Sequence, residues 1–189
     1  MFIQTEATPN PSTLKFLPGR VVMERGTAEF RSKDEADGVS PLAMGLFDVR
    51  GVSGVFFGYD FITVTNETED WAHIKPAILG AIMEHFTTGL PTITDGGEPL
   101  PAGEEFFDEK DETIVATVKE LLDTRVRPAV ANDGGDITFR GYKDGTVYLN
   151  MRGACAGCPS STATLKYGIQ NLLRHFVPEV REVEAVEAA

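Results

Sequence analysis

The N-terminal part of the chain alternates short apolar runs with turn residues. Four such runs predict two antiparallel strand pairs, because proline, glycine and aspartate separate them. The runs are residues 2–5, 13–17, 52–57 and 61–65. Ser40 and Pro41 predict the start of a short helix, because serine caps a helix N-terminus and proline fits its first turn. A longer helix, ending before Gly89, is indicated by an apolar stripe formed by Ile74, Ile78, Ile82 and Phe86.

The C-terminal part combines helical and strand periodicities. Asp108 predicts the cap of a helix. Its apolar positions are Ile114, Val115, Val118, Leu121, Leu122 and Val126. Pro128 either ends this helix or begins another turn, because proline has no backbone N–H. The remaining predicted elements are a hairpin of residues 137–142 and 146–151, a helix opened by Pro159 and a strand at residues 180–186.

Between these parts, residues 90–107 are rich in proline, glycine and acidic residues and show neither helical nor strand periodicity. They predict a linker, although one long surface loop inside a single domain has the same composition. Such long structureless loops are uncommon in compact domains, which favours the linker. We therefore expect an α+β protein with two small α/β sandwich domains, residues 1–89 and 108–189, joined by a flexible linker.

Composition and charge narrow the function classes. Seventeen Lys and Arg residues against 29 Asp and Glu residues give a formal net charge of −12. This charge repels phosphate backbones and anionic lipid surfaces, so neither nucleic acid nor a membrane is an expected partner. The first residues carry no basic stretch followed by an apolar run, and we expect a soluble, unsecreted protein.

The chain contains only two cysteines, Cys155 and Cys158, which excludes a disulfide framework and indicates a reducing compartment. They lie in a small-residue loop between a predicted strand and the helix opened by Pro159. Free backbone N–H groups and the helix dipole are expected to lower the pKa of a thiol at a helix N-terminus, so the position predicts thiolates.

A Cys-x-x-Cys pair fits a dithiol oxidoreductase, a zinc site or an iron–sulfur site. Two inert core cysteines are a fourth reading, which a glycine-rich loop at a helix entry disfavours. Metal sites take four ligands, and the three histidines are distant candidates: His73 and His85 belong to the other predicted domain, and His175 lies about 25 Å along its helix. Two chains facing each other would supply four thiolates. The oxidoreductase reading stays open, although Pro159 follows the cysteine pair instead of separating it.

Several motifs resemble the Nfu-type, or NifU C-terminal-domain, iron–sulfur cluster scaffold and carrier proteins. The C-terminal motifs are Arg127-Pro128, Asp133-Gly134-Gly135-Asp136, Gly153-x-Cys155-x-x-Cys158-Pro159-Ser160-Ser161 and Thr164-Leu165-Lys166. The N-terminal motifs are residues 8–16, 40–43 and 55–64, which resemble that family's leading domain. The resemblance covers nearly the whole chain except the predicted linker.

This resemblance implies a binding protein and not an enzyme. It implies that Cys155 and Cys158 hold an iron–sulfur cluster, commonly [4Fe-4S], in a cluster-bridged homodimer. An upstream donor would supply the cluster, and recipient apoproteins would receive it and mature. Mitochondrial relatives carry a targeting extension before the stretch at residues 8–11, so the resemblance implies a cytoplasmic protein, or a processed form in the mitochondrial matrix.

Overall fold

A computed structural model of the protein describes residues 1–68, 70–96, 104–156 and 159–186, with the backbone alone for residues 159–161. The chain divides into two compact units, an N-terminal unit of Met1–Pro101 and a C-terminal unit of Ala102–Ala189. Both combine helices with a β-sheet, which confirms the α+β class. No described helix is long and apolar enough to span a bilayer.

The N-terminal unit is a five-stranded antiparallel sheet with helices packed on it. Its strands are β1 (Gln4–Ala7), β2 (Thr13–Leu17), β3 (Ala28–Phe30), β4 (Val52–Phe57) and β5 (Ile62–Asn66), and their order is β1-β2-β5-β4-β3. Its helices are α1 (Lys33–Ala36), α2 (Pro41–Phe47) and α3 (Trp71–Thr88). Apolar side chains of the sheet, such as Phe16 and Ile62, share one buried core with Leu46 and Ile82 of the helices.

Both strand pairs predicted for the N-terminal unit are confirmed: β1 pairs with β2, and β4 pairs with β5. Ser40 caps α2, since its hydroxyl accepts a hydrogen bond from the Ala43 N–H at 3.0 Å. Strand β3 and helix α1 were not predicted from the sequence. These elements span three and four residues, too few for a periodicity to show, and the contacts of Ala28 and Phe30 with the core specify β3.

The C-terminal unit is a three-stranded sheet covered by helices. Its strands are β6 (Gly135–Lys143), β7 (Thr146–Gly153) and β8 (Glu182–Val186), and their order is β6-β7-β8. Its helices are α4 (Glu112–Leu121), α5 (Arg127–Asn132) and α6 (Pro159–Phe176). The predicted hairpin is confirmed in β6 and β7, whereas β8 runs parallel to β7 because α6 provides the crossover.

The helix predicted from Asp108 onwards is divided into several segments. A 3-10 turn, Glu109–Asp111, leads into α4, and a π-helical segment, Leu122–Val126, joins α4 to α5. Pro128 lies in the first turn of α5, so the alternative in which it begins another turn is correct. A proline there offers no N–H to the carbonyl four residues earlier, and the wider π segment lies just before it.

Within residues 90–107, the described ends are attached to their own units. Thr94 donates its backbone N–H to the Val39 carbonyl at 2.8 Å, and the Ser40 hydroxyl donates to the Thr92 carbonyl at 2.6 Å. Phe106 forms an isolated parallel bridge with Gly141 on the outer edge of β6. Residues 97–103 of the predicted linker lie outside the described residues.

Candidate metal centre

Cys155 lies in the loop that leads from β7 towards α6. Its backbone N–H donates to the Arg152 carbonyl at 3.4 Å, and the Ala156 N–H donates to the Gly153 carbonyl at 3.1 Å. The Thr162 hydroxyl, in the first turns of α6, donates to the Cys155 carbonyl at 3.1 Å. The first predicted ligand is thus attached to both flanking elements, while Cys158 lies outside the described residues.

The Cys155 side chain is buried against the start of β6. It is 5% exposed, and the Ala154 N–H donates to the Gly134 carbonyl at 3.2 Å. A Cβ atom added at Gly135 would lie 2.5 Å from the Cys155 Sγ and 2.7 Å from the Arg152 carbonyl oxygen. Gly134 has a φ of +83°, which favours glycine, whereas Gly135 is required for the close approach of the sulfur.

The ionisation predicted for the cysteine loop is wrong at Cys155. The pKa of the Cys155 thiol is raised to about 12, mainly by burial and also by the negative charges of the nearby Asp133 and Asp136 carboxylates. Without a bound metal, Cys155 is therefore a thiol at neutral pH.

Asp136 is held by a bidentate pair of hydrogen bonds from Arg127. The Arg127 Nε and Nη2 atoms each donate to one carboxylate oxygen of Asp136 at 2.9 Å, and the Ile137 N–H donates to Asp136 Oδ1 at 2.9 Å. Asp136 is 4% exposed, and its hydrogen bonds raise the pKa of the Arg127 guanidinium. This bidentate pair fixes α5 against the start of β6, where Gly135 contacts the Cys155 side chain. Arg127 and Asp136 are both positions of the sequence motifs, but the motifs did not predict that they pair.

Lys166 and His175 both have partners within the C-terminal unit. Lys166 forms an ion pair with Glu184 of β8 at 3.0 Å. His175, far along α6, makes an edge contact with the ring of Phe176. Within the described part of the chain, no three or more His, Cys, Asp or Glu side chains are grouped to hold a metal ion.

Comparison with known proteins identifies the family. The family model "Scaffold protein Nfu/NifU N terminal" matches residues 3–89, and the family model "NifU-like domain" matches residues 118–184. The chain belongs to the Nfu family of iron–sulfur cluster scaffold proteins.

Curated relatives carry names of the same family. The chain is 53% identical over 188 residues to the human "NFU1 iron-sulfur cluster scaffold homolog, mitochondrial", covering 98% of this chain and 72% of the human protein. It is 52% identical to the Drosophila sechellia protein of the same name, of which it covers 65%, just under two thirds. Among solved structures, a "NifU-like protein" from Saccharomyces cerevisiae shows 30% identity and a TM-score of 0.45 over 50% of this chain and 86% of that chain.

Proposed function

We propose that this protein carries an iron–sulfur cluster of the [4Fe-4S] type, bound through Cys155 and Cys158 of two copies of the chain, and transfers it to recipient apoproteins. The observation that supports the proposal best is that every thiol of the chain lies in one four-residue motif, whose described cysteine is held against β6 and α6. Thiolates are the usual protein ligands of such clusters.

The number of ligands supports the shared site. A [4Fe-4S] cluster takes four protein ligands, and one chain offers two cysteines. His73 and His85 are part of α3 in the N-terminal unit, and His175 lies near the end of α6. Two copies of the chain provide four thiolates without any other ligand, so we infer a cluster-bridged homodimer.

The chemistry of Cys155 suits reversible loading. Its thiol is buried and protonated in the free protein, so iron binding must displace the proton from the sulfur. The buried thiol offers little thiolate to oxidants while the protein is empty. Delivery then proceeds by replacement of these thiolates, one at a time, with cysteines of a recipient, and an upstream donor supplies the next cluster.

A dithiol oxidoreductase is the second candidate function for the same cysteine pair. Its attacking residue must be a thiolate near neutral pH. The raised pKa of Cys155 disfavours this residue in the attacking role. A zinc-bridged dimer would use the same four sulfurs but would be colourless.

Anaerobic reconstitution of the full chain with iron and sulfide tests the proposal. We expect a brown protein with the broad visible absorption of thiolate-to-iron charge transfer, and two chains per cluster by native mass spectrometry without added small thiols. Cys155→Ser and Cys158→Ser should each abolish the colour while the circular dichroism of the apoprotein is unchanged. A stable holo-monomer, or a mutant that traps disulfide-linked partners, would overturn the proposal.

A further inference from the structure

Helix α6 presents an uncharged outer face immediately after the cysteine motif. It begins at Pro159, the residue that follows Cys158 in the sequence. Its exposed positions over the next turns recur at intervals of three and four residues, which places them on one side of the helix. They are Ala163, Thr164, Tyr167, Gly168 and Asn171, and we call them the Tyr167 face.

Tyr167 is the prominent side chain of this face. It is 65% exposed, while Ile169 and Leu173 on the opposite side of α6 are buried in the core. Nothing lies within 4 Å of a Cβ built on the neighbouring Gly168, so the surface beside the ring is open. Helical side chains lean towards the helix N-terminus, and Tyr167 follows Pro159 by about 12 Å along the axis. The side chain therefore leans towards the N-terminal end of α6.

Charge decides where two copies of this chain can approach. A net charge of −12 on each copy opposes association across most of the surface. Lys166 is the only charged residue between positions 159 and 173, and its charge is paired with Glu184. The Tyr167 face therefore offers a second copy a contact next to the cysteine motif without an opposing like charge.

We propose that a second copy of this chain docks on the Tyr167 face when the two copies share a cluster. The inference rests on the proposed function, since the shared cluster brings the starts of both α6 helices to one place. In a two-fold dimer the same patch is used by both copies, so Tyr167 of each protomer packs against the partner's α6.

The size of the face sets the conditions for this contact. A tyrosine side chain buries roughly 150–250 Å², whereas a stable protein interface takes about 800 Å² from each partner. The Tyr167 face is too small to hold the empty protein as a dimer. It adds to the thiolate–iron bonds of the loaded protein, which makes the dimer depend on the cluster and the loaded dimer sensitive to Tyr167.

The test compares Tyr167→Glu with Tyr167→Phe and with Tyr59→Glu in the full chain. Tyr59 is a matched control, since it is 60% exposed but belongs to the N-terminal unit. Each variant is loaded with iron and sulfide anaerobically without small thiols, and dimer dissociation is measured by dilution and native mass spectrometry. Wild type, Tyr167→Phe and Tyr59→Glu should keep two chains per cluster, whereas the loaded Tyr167→Glu dimer should dissociate at about tenfold higher protein concentration or more.

Added glutathione separates loss of docking from loss of the ligands. Its thiol can complete the iron coordination, so Tyr167→Glu should then hold a cluster on a single chain. If Tyr167→Glu alters the apoprotein's circular dichroism, Asn171→Glu on the same face takes its place and should weaken the dimer similarly.

A loaded Tyr167→Glu dimer as tight as the Tyr59→Glu dimer would overturn the docking inference and leave the proposed function standing. A colourless wild type would overturn the proposed function, and the docking inference with it.

Discussion

At the scale of single residues, the fit of the Cys155 sulfur against Gly135 is the tightest constraint on the site. A Cβ at Gly135 would stand 2.5 Å from Sγ, and the second obstacle, the Arg152 carbonyl, is backbone that cannot rotate away. Gly135→Ala should therefore destabilise the C-terminal unit by about 1–3 kcal/mol, as overpacking of a filled core does. Amide hydrogen exchange of β6 and β7 in the apoprotein measures the effect.

Gly168→Ala is the matched control for Gly135→Ala. It adds the same methyl group to α6, where nothing lies within 4 Å, and should stabilise the unit by about 0.5–1 kcal/mol. Equal effects of the two substitutions would contradict the packing of the sulfur on Gly135.

Residue identity predicted the cysteine ligands as candidates but not their chemical state. Helix-entry position indicated a lowered thiol pKa for Cys155, which is a local inference from neighbours in sequence. Cys155 is buried against Gly135, about twenty residues earlier, and the negative charges that raise its pKa are those of Asp133 and Asp136. Such long-range contacts leave no mark in the spacing of Cys155 and Cys158, so the direction of the shift could not be predicted.

His85 makes the stability of the N-terminal unit depend on pH. It is 6% exposed, its Nε2 has no hydrogen-bond partner among the described residues, and burial lowers its pKa. The unfolded chain thus takes up a proton near its usual pKa of about 6.5 while the folded unit stays neutral. The unit is therefore most stable above that pH. Its free energy of unfolding decreases as the pH drops from there towards the lower pKa of His85 in the folded unit.

Urea unfolding followed by the fluorescence of Trp71, the only tryptophan, reports on this unit. The urea concentration at the unfolding midpoint should decrease as the pH is lowered from 7 to 5, and this decrease should be smaller in His85→Phe. His73→Gln is the control, because His73 is exposed and its pKa is raised by Asp70, the opposite direction. An unchanged pH dependence in His85→Phe would contradict the role of His85.

At the scale of elements, Phe106 closes the outer edge of β6. Its N–H donates to the Arg140 carbonyl at 3.1 Å, and its carbonyl accepts from the Tyr142 N–H at 2.9 Å. Its ring lies over Gly141, where a Cβ would stand 2.4 Å from a ring carbon, and 5.2 Å from the ring centre of Tyr148. Exposed strand edges favour unwanted pairing, and this residue covers part of one.

Phe106→Ala should therefore weaken the C-terminal unit by about 1–2 kcal/mol, less than a fully buried phenylalanine because the ring is 41% exposed. The readout is the hydrogen-exchange rate of the Tyr142 amide, which should rise. Phe2→Ala, at an 85% exposed position of the N-terminal unit, should leave that rate unchanged. A Tyr142 amide that exchanges equally slowly in Phe106→Ala would show that the ring does not hold the edge.

Periodicity predicted the elements that bury a regular stripe or face, such as α3, α6 and the β6–β7 hairpin. It failed for β3, whose three residues have no period, and for Phe106, which pairs as a single residue. The parallel pairing of β8 with β7 depends on the crossover by α6, and a strand pattern alone gives no direction.

At the scale of the whole molecule, fragments of the chain can test whether the C-terminal unit folds and binds a cluster without the N-terminal unit. Both cysteines belong to the C-terminal unit, which has its own core around Leu122, Leu149 and Leu173. The domain boundary at residue 108 remains a prediction, and the contacts of Phe106 favour a fragment that begins earlier, at Glu104. We expect residues 104–189 to fold alone, with dispersed amide resonances, and to take up a cluster.

A comparison of two fragments and a control decides this last prediction. Residues 108–189 lack both backbone hydrogen bonds of Phe106, each worth about 0.5–1.5 kcal/mol, so this fragment should unfold at lower urea than residues 104–189. Residues 1–96 contain no cysteine and should stay colourless under the same loading. An unfolded 104–189 fragment would show that the C-terminal unit depends on the rest of the chain. If that fragment folds and loads but transfers its cluster poorly, the N-terminal unit contributes to recognition of recipients.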